Sequence, residues 1–118
     1  WDITEILSWL LNNAQHIIEE NLPKFIHWDT SIAKSICSFY DADAEPADSE
    51  FDRIFEYRQR HELCFGLRGA PVPIVYLGRG QTGGEVSAYI DDTFIFYNID
   101  LEEFITAVKR EFAPIEKR

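Results

Sequence analysis

The chain has 118 residues, 46% of them hydrophobic and 14% aromatic, which is enough apolar material for one packed core and too much for a disordered chain. Its 21 acidic residues outnumber 11 basic ones, for a net charge of −10. That excess repels nucleic-acid phosphate and anionic membrane surfaces, so the expected partner is a basic protein rather than DNA, RNA or lipid.

One domain spanning residues 1–118 is expected. No apolar run approaches the ~20 residues a spanning helix needs. The chain opens Trp1-Asp2-Ile3 with no basic region ahead of an apolar stretch, so no secretory signal is read there, and it contains no Met, which reads as a fragment or a processed form. Cys37 and Cys64 make no disulfide framework; both sit in apolar surroundings and read as small buried hydrophobes. A cytoplasmic location is the expectation that follows.

Residues 2–21 read as an amphipathic helix, with Ile3, Ile6, Leu7, Leu10, Ala14, Ile17 and Ile18 at helical spacing. Asp2 with Glu5 resembles a capping box, and Asn21-Leu22-Pro23 ends the helix because a residue before proline avoids the α region. A second helix over 30–40 gathers Ile32, Ala33, Ile36, Cys37 and Tyr40 on one face, with Asp29 as its N-cap. Residues 41–50 are acidic, polar and broken by Pro46, and read as a loop. A third helix runs over 49–60, with Ser49 and Asp52 as its cap and Phe51, Ile54 and Phe55 on one face.

The period then changes. Residues 61–68 alternate, with Leu63, Phe65 and Leu67 on one side, and predict a first strand. Residues 72–77 predict a second, placed at an edge by the prolines near its start. Residues 85–90 predict a third, with Val86, Ala88 and Ile90 facing one way. Asp91-Asp92 makes a tight turn into a fourth strand over 93–97. Short links imply an antiparallel meander. Asp100 and Glu103 cap a last helix over 101–112, with Leu101, Phe104, Ile105 and Val108 on its apolar face. The expected fold is α+β: N-terminal helices, an antiparallel four-stranded meander and a C-terminal helix, with helices covering one face of the sheet.

Gly78-Arg79-Gly80-Gln81-Thr82-Gly83 spells G-x-G-x-x-G. A dinucleotide site needs that motif between a strand and a helix. Here a strand follows, so a hairpin turn is the better reading and no cofactor is expected. His16, His27 and His61 lack the spacing of metal ligands, so no metal is expected. The acidic loop lacks the central glycine and terminal glutamate of a calcium loop. No nucleophile signature appears, and the chain is not read as an enzyme.

Ile17-Ile18-Glu19-Glu20-Asn21-Leu22-Pro23 is similar to the opening of the SUKH superfamily, where an acidic helix leads to Leu-Pro. Residues 74–108, running strand, glycine turn, strand, strand and Asp100-Leu101-Glu102-Glu103-Phe104-Ile105, resemble its closing meander and last helix. The resemblance covers about half the chain. The family's Asn-Gly after the first helices is absent, as is its usual step after the glycine turn. Many SUKH proteins are bacterial immunity proteins that neutralise toxin domains, often nucleases. The resemblance therefore implies an acidic protein that occludes a toxin's basic cleft. The contact residues expected for that role are Asp41, Asp43, Glu45, Asp48, Glu85, Asp91 and Asp92, with Tyr89 and Tyr97 as aromatic anchors. The alternatives are a small regulatory or structural adaptor, and an enzyme built around the glycine turn and His61.

Overall fold

The computed structural model describes residues 3–41, 47–66 and 73–116. Five helices and three strands follow in the order α1 (Ile3–Asn12), α2 (Ala14–Glu19), α3 (Ile32–Asp41), α4 (Asp48–His61), a 3-10 turn (Leu63–Gly66), β1 (Ile74–Gly80), β2 (Gly83–Ile90), β3 (Thr93–Asn98) and α5 (Leu101–Glu116). The class is α+β, as expected.

The long first helix is divided at Asn13. Its side-chain amide donates to the Trp9 carbonyl at 2.8 Å and its backbone leaves helical geometry, at φ −109° and ψ 7°. An asparagine side chain that competes for helix carbonyls interrupts a helix in this way. Ala14 and Ile17 nevertheless stay buried on the same side as Leu10. The Asp2 cap expected for α1 lies outside the described residues.

The strands pair antiparallel in the order β1-β2-β3, so the meander has three strands among the described residues, not four. The segment expected as the first strand instead finishes α4 at His61 and turns through Leu63–Gly66. Side-chain chemistry explains the difference. Arg58 reaches Glu62 one helical turn on, the Cys64 thiol donates to Glu62, and Phe65 packs edge-on against Phe55 of α4 at 5.8 Å. The alternating Leu63 and Phe65 thus serve two different contacts rather than one sheet face. Glu62 keeps a single bridge to Tyr76 at the β1 edge.

Helices cover both faces of the sheet, where one was expected. Successive residues of a strand point to opposite faces. Tyr76 belongs to a core with Ile26, Ile32, Ala33, Ile36, Ile54 and Tyr57. Its neighbour Leu77 belongs to a second core with Leu10, Ile17 and Leu101. So α3 and α4 lie on one side, and α1, α2 and α5 on the other.

Residues 85, 87 and 89 show what the extra layer does. They are the polar alternates of β2, and in a one-layer fold they would face water. Here Glu85 accepts a hydrogen bond from the Ile32 N–H at 2.7 Å, and Ser87 accepts one from the Ala33 N–H at 3.1 Å. Two strand side chains therefore satisfy the open N–H groups at the start of α3, where negative charge also suits the helix dipole. Ser31 supplies the rest of the cap through Lys34 N–H. Asp29, the expected N-cap, instead accepts from Thr30 and Ser38 and pairs with Lys34. At α4 the cap is a Glu50 carboxylate accepting from the Ala47 N–H, two residues earlier than the Ser49–Asp52 pair expected.

Candidate functional site

The glycine motif forms a β-hairpin. Residues 78–80 belong to β1 and 83–84 to β2, leaving Gln81-Thr82 as the turn. A Cβ on Gly78 would sit 2.8 Å from His61 Nδ1 and 3.0 Å from the Tyr57 hydroxyl. Gly78 is thus a notch that lets buried side chains of α4 approach the sheet, and it meets no phosphate-binding helix.

Behind that notch lies a buried polar network. His61 has no exposed surface. Its Nδ1 donates to the Leu77 carbonyl at 2.7 Å and its Nε2 meets Glu20 at 2.8 Å. Arg60 grips the same carboxylate through Nε and Nη2. Tyr57 stacks on the imidazole with ring centres 3.9 Å apart, its hydroxyl without a hydrogen-bond partner. Burial works against the Glu20 charge, but hydrogen bonds and charge from His61 and Arg60 outweigh it and lower the carboxyl to about 2. A second network centres on Glu62, which is held by Arg58 and Cys64. Burial, followed by the bond to Glu62, pushes the Cys64 thiol up to about 12.

A cleft of about 780 Å³ lies between the 20–25 segment and α4, and Glu20, Tyr57 and Arg60 are in its wall. Both Glu20 oxygens are occupied, Arg60 is committed to Glu20, and His61 is sealed from solvent, while Lys24, Ser49, Glu50 and Glu56 also line the wall. Among the described residues no group of three or more His, Cys, Asp or Glu side chains is arranged to hold a metal. No helix among them is long and apolar enough to cross a membrane.

The expected contact residues divide into four sets. Asp43 and Glu45 lie outside the described residues. Glu85 is removed from the surface: it is 2% exposed and engaged in capping α3. Tyr97 is 67% exposed, but pairs across from Val86 on the face opposite to Tyr89. The two tyrosines therefore cannot anchor one flat contact together.

The remaining five come together at one end of the molecule. Asp91 and Asp92 form the β2–β3 turn, both with positive φ, 51° and 60°. The Tyr89 hydroxyl donates to Asp92 at 2.9 Å. That bond, then the Asp92 charge, raises the Tyr89 pKa, and Asp41 at the end of α3 adds to the effect through space. Tyr40, next to Asp41, stacks on Phe51 at 6.2 Å, in the first turns of the α4 helix that Asp48 opens. All four carboxylates are exposed, and none has a basic partner within ion-pair distance among the described residues.

No protein-family model, curated protein or solved structure matches the chain.

Proposed function

We propose that the chain is an acidic protein-binding domain that presents the end formed by Asp41, Asp48, Tyr89, Asp91 and Asp92 to a basic surface on another protein. The observation that carries this reading is the gathering of four exposed, unpaired carboxylates around a tyrosine at one end of the fold. Elsewhere the strongest acid–base pairs are turned inward, as with Glu20 and Arg60 or Glu62 and Arg58. Unpaired surface charge adds little to folding, and its strongest effect is on encounter with an oppositely charged partner. The phosphate-binding cleft of a toxin nuclease is the basic surface that the SUKH resemblance suggests, and occluding it would make the chain an immunity protein.

The test is capture of a partner with the tagged chain, followed by a nuclease assay of that partner with and without it. A basic nuclease inhibited by the wild-type chain, and released by the Asp41→Asn, Asp91→Asn, Asp92→Asn variant, is the expected result. A captured partner that is acidic, or that binds this variant as tightly as the wild type, contradicts the reading.

A further inference from the structure

The Asp91-Asp92 turn leads directly into the edge strand β3. β3 occupies one side of the β1-β2-β3 sheet, and no other strand flanks it among the described residues. The turn before it settles which of its groups face outward. Positive φ at both Asp91 and Asp92 defines a type I′ hairpin, whose closing pair, Ile90 and Thr93, exchanges the ladder hydrogen bonds. By alternation Ile95 and Tyr97 also bond to β2. Phe94, Phe96 and Asn98 therefore turn their N–H and C=O groups away from the sheet.

Sheet edges in natural proteins are shielded by lysine, proline, a bulge or an overlying element. Thr93-Phe94-Ile95-Phe96-Tyr97-Asn98 has no charge, proline or glycine, and it pairs with β2 without a bulge. Its side chains are open on both faces: Phe96 is 42% exposed on one, and Ile95 40% and Tyr97 67% on the other. These are the requirements for recognition by strand addition, in which outward backbone groups supply affinity and flanking side chains supply selectivity.

Charge selects the occupant. Asp91 and Asp92 precede β3, and Asp100, Glu102 and Glu103 follow it, all exposed. A second copy, paired antiparallel about the middle of β3, would bring Asp91 and Asp92 beside the partner copy's Asp100, and like charges placed opposite each other oppose pairing. Resting on the binding function proposed above, we infer that the partner adds an extended segment to the β3 edge, with apolar or threonine residues at its centre and Lys or Arg at both ends. An added strand touches both faces of the sheet edge, and so meets Phe96 on one and Ile95 and Tyr97 on the other.

The experiment titrates the isotopically labelled full chain with a peptide of alternating valine and threonine bracketed by lysine pairs, and with its glutamate-bracketed counterpart. Exchange protection is expected to rise at the Phe94, Phe96 and Asn98 amides and to stay constant at Thr93, Ile95 and Tyr97. The glutamate peptide should bind at least about tenfold more weakly. Phe96→Pro removes one outward donor while leaving the ladder to β2 intact, so it should keep the circular dichroism of the fold and lose the peptide. Phe96→Thr keeps the donor and should retain binding. If the proline variant fails to fold, the protection pattern of the wild-type chain decides alone. Lysine-peptide binding that protects none of the β3 amides and ignores Phe96→Pro overturns strand addition and leaves docking on the acidic end standing. Equal binding of both peptides overturns the charge-selected partner as well. A dimer in sedimentation that Phe96→Pro dissolves identifies a second copy as the occupant and overturns the inference.

Discussion

At Gly78 a single added methyl group would have to displace two rings. His61 and Tyr57 are both fully buried and stacked on each other, so neither can give way cheaply. Gly78→Ala should cost about 1–3 kcal/mol, the usual loss on overpacking, and lower the melting temperature accordingly. Glu20 makes the complementary case for charge. Its carboxyl ionises at about 2 in the fold against 4.5 ordinarily. Its stabilising contribution is therefore complete above about pH 4.5 and disappears as the pH falls through about 2. Glu20→Gln should lose about 2 kcal/mol at neutral pH, because Arg60 and His61 are left facing a neutral amide, and its stability should vary less than the wild type's between those limits. Urea melts across that range check both statements. Glu85→Ala strips the acceptor from the Ile32 N–H and should cost about 2–3 kcal/mol with no change in partner affinity, as expected of a capping residue. Calorimetric melts and a binding titration of the same variant separate those two outcomes.

The β2–β3 hairpin shows what an element can hide from its own sequence. Its strands and turn were legible, because Val86, Ala88 and Ile90 alternate cleanly and two aspartates between strands are ordinary turn chemistry. The opposite alternates, Glu85, Ser87 and Tyr89, read as a solvent face. Nothing local reveals that α3 lies across two of them, since the contacts join residues 53 and 54 positions apart. The His61–Glu20 contact, at 41 positions, was equally hidden, and so was the Arg60–Glu20 pair at 40. Residues 61–66 failed for another reason. An alternation of three apolar residues is too short to tell a strand from a helix end followed by a tight turn. Asn13 was passed over because the apolar spacing continues across it. The turn itself offers a test. Asp91→Asn with Asp92→Gly places the preferred type I′ pair on the same geometry and should stabilise the fold by about 0.5–1 kcal/mol in thermal melts. It also removes two charges, so the same variant should associate more slowly with a basic partner. Stability and binding would then move in opposite directions.

Across the whole molecule, two groups stand out among the 21 acidic residues behind the net charge of −10. Glu20 and Glu62 are paired inside and hold α2, α4 and β1 together. Asp41, Asp48, Asp91 and Asp92 are exposed and have no basic partner within ion-pair distance among the described residues. The exposed group projects a field that can guide a partner, and that field weakens as salt shortens the screening length. The most direct measurement is the stopped-flow association rate of the chain with its captured partner from about 20 to about 500 mM salt. The rate for the wild type should fall by more than about tenfold over that range, and the Asp41→Asn, Asp91→Asn, Asp92→Asn variant should begin slower and lose most of the slope. A wild-type rate that holds level from low to high salt, or a neutralised variant that keeps the full slope, would contradict the account.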